Sequence, residues 1–328
     1  MTDDPPNAAT PLALLDGRDL EPGSIYQRNN FSLPNSAPDE VEVRTGSRGF
    51  SLNLTELGRL PRVEISMVLE CAGNGRALMD PTPEGIPWGL GAVSPVRFSG
   101  ARLLDAVGTL PETTAELVFT GSDRGVVEPE GRVNYQFSLT PDLWERAILA
   151  THLQGDPLHY DHGGPIRLVV PGQYAMKSVK WLRAIDAVDA PFTGHFVDKY
   201  RYFGDADAPE GAPVGDIQVR SLIATPAEGA NLAAGVVDVR GMAWSANSIR
   251  SVEVSTDDGE SWAPATVQPS ESEFGPVMWQ TEVGLEPGIY VIAARATDSD
   301  GAVQPGKSRW NGNGYANNVI HRVSVTVS

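Results

Sequence analysis

Cysteine occurs once in these 328 residues, as Cys71. An internal disulfide is therefore excluded, and the fold demands no oxidising compartment, although a single thiol does not forbid one. Positive charge is also scarce. Against 42 Asp and Glu stand 25 Lys and Arg, a formal charge of −17 with a sequence pI near 4.6. Phosphate backbones need a basic face, so a nucleic-acid partner is not expected. Repulsion of a small anion is screened beyond about 8 Å at physiological salt, so a few local arginines suffice to bind one and net charge does not decide the ligand. Long apolar runs are missing too. No stretch reaches the ~18 apolar residues of a membrane-crossing helix, and Met1 to Asn7 is acidic and proline-bearing, with neither a basic nor an apolar leader segment. The expectation is a cytoplasmic protein with no membrane partner, or a periplasmic one if a leader preceded Met1.

What is abundant is glycine, 34 residues, and proline, 26, within an ordinary 41% of apolar residues. Many turns and short strands follow, and at roughly 150 residues per domain the length suggests two β-rich domains. Residues 1–20 read as a flexible lead. Residues 21–204 read as an α+β domain in which strand-like runs such as Leu117–Phe119 and Ile166–Val170 alternate with helix candidates at Leu103–Val107 and Leu143–Thr151. Thr140 or Asp142 could cap the second helix. Residues 205–215 are small, acidic and proline-rich without apolar periodicity, the composition of a linker. Beyond them, 216–328 show short alternating strands at Val237–Val239, Ile249–Ser255, Tyr290–Thr297 and His321–Val327. An all-β, immunoglobulin-like sandwich of about 110 residues is expected. The turn Asp298–Gly301 lacks the spacing and late glutamate of a calcium loop and reads as a plain turn. Ser255, Asp257, Gly259 and Trp262 read as a hairpin corner.

Chemistry is sought first at Cys71. The run Val63–Glu70 is apolar and β-prone, and it is followed by Cys71 Ala72 Gly73 Asn74 Gly75 Arg76, a tight turn at a strand end. A thiolate is a strong soft ligand and nucleophile, and such a turn can aim it into a cleft. The alternative is a buried cysteine acting as a small hydrophobe. Residue type and position leave both open.

The heptad Glu70–Arg76 resembles the molybdenum-ligand loop of the sulfite oxidase family. Further segments match in the expected order: Tyr26 to Asn30, Trp88 to Val93, Gly155 to Leu158, Asp161 to Gly172 and Lys177 to Leu182. In the second half, Gly241 to Ser245 and the tail from Trp310 to Val323 resemble that family's dimerisation domain. The likeness covers nearly the whole chain after residue 20. It implies a molybdenum–molybdopterin cofactor with Cys71 as metal ligand, and two-electron oxidation of sulfite to sulfate. Cofactor contacts are implied at Tyr26, Arg28, Asn29, Asn30, Ala72, Gly73, Asp123, His162, Arg167, Lys177, Ser178 and Lys180, of which Asn30 stands where relatives commonly carry histidine. Arg28, Arg76 and Trp88 resemble substrate-pocket residues. For Arg76 the other reading is a surface arginine closing a turn, for Trp88 a core aromatic, and for Asp161 and His162 a turn with satisfied side chains. Two positions depart from the family: its pocket tyrosine falls on Thr151 and a third pocket arginine on Asn313. They leave room for a related oxidoreductase acting on another sulfur compound or oxyanion, such as a sulfane dehydrogenase or oxo-transfer reductase, and beyond that for a non-catalytic scaffold. No segment resembles a haem domain, so the implied electron acceptor is external, such as a cytochrome c. The resemblance also implies a homodimer formed through the C-terminal domain.

Overall fold

A computed structural model describes residues 2–205, 208–270 and 272–328. Alternation builds the strands. In Glu40–Thr45 the inward positions Val41, Val43 and Thr45 are buried and the intervening ones exposed, the period-two pattern of a sheet with one wet face. The first domain holds two sheets. One runs Asp156–Pro157, Ile148–Leu153, Val93–Arg102, Arg62–Glu70, with Arg167–Val169 pairing on Ile148–Leu153. The other runs Arg48–Asn53, Glu40–Thr45, Leu182–Val188, Glu116–Val127, Gly131–Leu139, and its pairs are antiparallel except Leu182–Val188 against Glu40–Thr45.

Helices are few and short. Leu103–Val107 forms as expected. The helix expected over Leu143–Thr151 does not: it covers only Pro141–Trp144, with Thr140 at its start making no side-chain cap, and Ile148–Leu153 is a strand. That strand lies between Val93–Arg102 and Arg167–Val169, so Ile148, Leu149 and Ala150 are buried. A short apolar run buried on both sides carries no period to separate strand from helix.

The second domain is wholly β. The sheet Arg220–Thr225, Gly235–Trp244, Val277–Leu285, Thr266–Val267 faces the sheet Ala230–Leu232, His321–Val327, Gly288–Asp298, Ile249–Ser255, Ala263–Pro264. Val239, Val254, Trp279, Ile292, Ala294 and Val325 fill the space between them. At Asp298–Gly301 the Asp298 carboxylate accepts from the backbone of Asp300 and Ala302 and from Ser245, so it is consumed by the turn itself.

Two segments depart from their compositional reading. Residues 2–20 of the expected flexible lead are not loose: Leu15 and Leu20 are buried, Thr10 N donates to Gly91 O at 2.8 Å, and Ala8 bridges to Gln27. Leucines scattered among polar residues supply enough burial to hold the segment down. Residues 208–215 are likewise clamped, since Tyr202 N donates to Ala212 O and Gly211 N to Tyr202 O, and Val214 enters the first domain's core. Ala206 and Asp207 of the expected linker lie outside the described residues. The two domains share one core, because Leu222, Met242 and Trp244 of the second pack into the apolar cluster of the first. No helix among the described residues is long and apolar enough to cross a membrane.

Candidate cofactor and active site

Strand Arg62–Glu70 ends buried and delivers Cys71 into a turn closed by Asn74 N donating to Cys71 O at 3.0 Å. Gly75 takes φ 82°, a left-handed conformation that glycine adopts without strain. Asn74 ties the turn to both flanks, donating to Glu70 Oε1 at 3.0 Å and accepting from Ala92 N at 3.1 Å. Gly73 answers a different need. A β-carbon there would sit 2.6 Å from an Arg76 guanidinium nitrogen, so the glycine makes room for Arg76 to fold back beneath the loop.

The thiol opens on a cavity with about 640 Å³ of empty space including its mouth. Its walls are Tyr26, Gln27, Arg28, Asn30, Leu69, Cys71, Ala72, Asp123, Tyr135, Asp161, His162, Arg167, Ala175, Met176, Ser178, Lys180 and Tyr200. Many residues expected at the site from sequence therefore meet in one place. Asn29 stands just behind, its Oδ1 accepting from Lys180 Nζ and its side-chain amide donating to Pro6 O at 2.6 Å.

Other expected residues lie outside this cavity. Arg76 is buried, donating to Ile86 O at 2.8 Å and Asn313 O at 2.9 Å with its guanidinium over the Tyr315 ring. Nε and Nη1 are thereby held on one carbonyl of the following segment and one of the second domain. Trp88 is fully buried behind Tyr26, the two rings edge to face at 6.4 Å. Thr151 sits on strand Ile148–Leu153 and bonds its neighbour His152, while Asn313 turns its side chain to Arg201 O. Lys177 points away, onto Gln173, which in turn reaches Asp216. Tyr135 and Tyr200 were not singled out. Tyr135 had a signal in the alternation Val133, Tyr135, Phe137, Leu139, and it now donates to Met176 O at 2.6 Å. Tyr200 follows the short helix His195–Lys199 and had none.

Charge in the cavity is lopsided. Arg28, Arg167 and Lys180 stand against two carboxylates, Asp123 and Asp161. Burial pushes the Lys180 ammonium below its ordinary range, with Arg167 adding to the effect, and pushes the Asp123 carboxyl up. Arg167 is lowered to about 10 by burial although it donates to His162 O at 2.8 Å and Ser178 O at 3.1 Å. His162, at about 4 chiefly through burial, is neutral near pH 7, with Nε2 placed to donate to Pro22 O at 2.9 Å. Burial also raises the Cys71 thiol, against the pull of Arg28 and the Gly73 N–H. Among the described residues, Asp123 Oδ1 and Arg167 Nε are buried without a hydrogen-bond partner. Such orphaned groups cost roughly 1–3 kcal/mol each unless a ligand meets them. A ligand with N–H donors for Asp123, negative charge for the cations and a metal for the thiol would satisfy the set.

Fold and cavity thus offer an enclosure rich in positive charge beside a single cysteine, suited to an anionic ligand. Comparison with known proteins identifies that ligand. Residues 31–196 match the oxidoreductase molybdopterin binding domain and residues 212–328 the Mo-co oxidoreductase dimerisation domain. The sulfite oxidase of Gallus gallus is 32% identical, the match covering 97% of this chain and 75% of that protein. Human mitochondrial sulfite oxidase is 31% identical over 99% of this chain and 65% of its own length. The chain thus spans just under two thirds of the mammalian relatives it matches. A rice nitrate reductase is 30% identical, with 40% of its length covered. The fold is shared with the sulfane dehydrogenase SoxCD of Paracoccus pantotrophus, at a TM-score of 0.84 and 22% identity over 97% of this chain and 84% of that one. The chain belongs to the sulfite oxidase family of molybdopterin oxidoreductases, and its cofactor is molybdenum–molybdopterin.

Proposed function

We propose that this protein oxidises sulfite: sulfite and water give sulfate, two protons and two electrons, which pass to an external acceptor such as a cytochrome c. The observation that carries this reading is the meeting of Cys71, Arg28 and the Arg167, Lys180 and Asp123 set in one cavity. Cys71 would ligate the molybdenum. Tyr26, Asn30, Asp123, His162, Arg167, Ser178 and Lys180 would hold the pterin and its phosphate, with Asp123 accepting from the heterocycle and the cations neutralising charge. When bound, the cofactor supplies the two-electron redox chemistry. Arg28 is the protein's anion-orienting group: it spans Asn30 Oδ1 at 3.0 Å and the Asn29 carbonyl, which fix its fork in the cavity wall. Neutral His162, its one N–H spent on Pro22 O, adds no charge to the cavity wall. The second domain, read as an immunoglobulin-like sandwich, would pair two copies about a twofold axis.

A second reading is favoured by one observation. Arg76, Thr151 and Asn313 are not among the residues lining the cavity, which leaves Arg28 and Arg167 as its arginines. A thinner anion clamp suits a larger or less charged sulfur compound. Molybdenum content and sulfite-dependent reduction of cytochrome c or ferricyanide, measured on one preparation, decide between them. Turnover at millimolar sulfite supports the first reading, and none from fully metallated protein rejects it. Cys71→Ser is expected to fold but lose its molybdenum and its turnover; normal metal content in that variant would remove Cys71 as ligand.

A further inference from the structure

The cysteine turn is gripped from the second domain. Glu70, one residue before Cys71, has both carboxylate oxygens engaged there: Oε1 accepts from Arg220 Nη1 at 3.0 Å and Oε2 from Trp244 Nε1 at 2.8 Å. Ala316 N donates to Ala72 O at 2.7 Å and Asn317 Nδ2 to Gly75 O at 2.7 Å. Arg220 also lies against the turn, because a β-carbon on Gly75 would come within 2.8 Å of its Nη2. Gly73 and Gly75 thus make room for two arginines, one from each domain.

Stability alone does not account for the Glu70–Arg220 pair. Both side chains are 2% exposed, and Arg220 Nε and Nη2 have no partner among the described residues. Taking two charges out of water costs about as much as their attraction returns, so such a pair contributes little net stability, whereas its directional bonds fix one geometry. Those bonds converge on the residue adjoining the thiol.

We infer that the second domain positions the metal-binding thiol, with Arg220 and Trp244 as positioning residues acting through Glu70. The inference rests on the reading of Cys71 as molybdenum ligand. Release of Glu70 lets the strand end rotate and moves the sulfur, while the cavity walls from Tyr26, Asp123 and Lys180 stay in place.

The test uses the full-length loaded protein and four variants: Trp244→Phe, which removes one N–H and keeps a ring; the charge-neutral double variant Glu70→Gln/Arg220→Gln; Arg220→Lys, which keeps the charge; and Val325→Ala, a remote core truncation in the second domain. Thermal midpoint, molybdenum per chain and thiolate-to-molybdenum charge-transfer absorption are measured on each. In cofactor-free protein the rate of reaction with an uncharged disulfide reagent reports on Cys71 alone, since it is the only cysteine. Trp244→Phe and the double variant are expected to lose about tenfold in molybdenum retention, the usual scale for groups that orient a ligand, with a displaced charge-transfer band and a changed thiol rate. Arg220→Lys should recover part of the loss. Val325→Ala should lower the thermal midpoint and leave band and thiol rate alone. Wild-type band, retention and thiol rate in Trp244→Phe would overturn the inference, and so would equal spectral changes in Val325→Ala; if the double variant fails to fold, Trp244→Phe decides. Cys71→Ser separates the two levels. Should it keep the band, the ligand reading falls; should it lose the band while Trp244→Phe is unchanged, the positioning role falls alone.

Discussion

Lys180→Met is expected to make the cofactor-free protein more stable and the loaded protein less able to keep its cofactor. Lys180 lines the cavity, donates to Asn29 Oδ1 and stands 4.3 Å from the centre of the Trp181 ring, with no carboxylate within ion-pair distance among the described residues. Several kcal/mol is the effective cost of enclosing an ammonium in protein. One amide acceptor, the ring, the field of Asp123 and Asp161, and solvent in the open cavity offset part of it, leaving about 2 kcal/mol for methionine to recover. For a domain of this size that is roughly 4–8 °C in thermal midpoint. The sign with pH is fixed by the direction of the shift. Burial holds Lys180 below its ordinary 10.5, so between its lowered value and 10.5 the unfolded chain binds more protons and wild-type stability climbs with pH. The advantage of methionine is therefore largest near pH 6 and shrinks toward pH 10. Calorimetry of cofactor-free samples at pH 6, 8 and 10, with molybdopterin retention after gel filtration, measures both halves. A midpoint below wild type at pH 6, or a difference that widens with pH, would refute the reasoning.

Acid should unfold the protein through its buried histidines. His162 and His321 sit at about 4, mainly through burial, and His321 Nδ1 accepts from Ile223 N at 3.0 Å, so protonation there removes an acceptor. Their folded values lie below the ordinary 6.5, so stability is lost as pH falls from 6.5 toward 4, by up to about 3 kcal/mol for each; urea midpoints at pH 7, 5.5 and 4.5 read it, and a flat profile contradicts it. Gly100→Ala should cost about 3 kcal/mol, because the new β-carbon would lie 2.0 Å from Leu149 O and 2.8 Å from Ala150 Cα, backbone atoms of a strand that cannot step aside. An unchanged urea midpoint would mean that the Gly100–Ala150 register is wrong.

What could be read in the sequence followed from local physics. Ile249–Ser255 and His321–Val327 were legible to the residue because each alternates apolar and polar positions, and the Cys71 turn was legible because a strand, a thiol and two glycines adjoin. Elements whose state depends on partners were not. Ile148–Leu153 is a strand because two neighbours flank it, and residues 4–20 are ordered because Gly91, Ser94 and Gln27 receive them. At the site, the positions gathered around Cys71 were found by motif, whereas Arg76, expected in the pocket or on the surface, is buried on carbonyls of Ile86 and Asn313, 10 and 237 residues away. Tyr200 carried no signal, since its place at the cavity depends on how the chain returns after helix His195–Lys199. Glu70 and Arg220 are 150 residues apart in sequence, and only the packing of two domains makes them a pair.

A net charge of −17 and a cavity for an anionic cofactor are compatible because they act at different ranges. Acidic side chains on the surface, such as Glu42 and Asp258, already hold arginines in exposed pairs, and what remains of their field decays over about 8 Å in salt water. Inside, Arg28, Arg167 and Lys180 lie within one enclosure where the effective dielectric is lower and each interaction is correspondingly stronger. Asp123 and Asp161 oppose them only in part. The cavity accordingly carries an excess of positive charge where a bound anion would be shielded from water, and the orphaned Arg167 Nε and Asp123 Oδ1 mark where that anion's polar edges belong. Affinity is thus set by the enclosure rather than by the sum of charges over the chain. A change confined to the outer surface should shift the rate at which anions arrive, and a change to any of these buried groups should shift how long the cofactor stays.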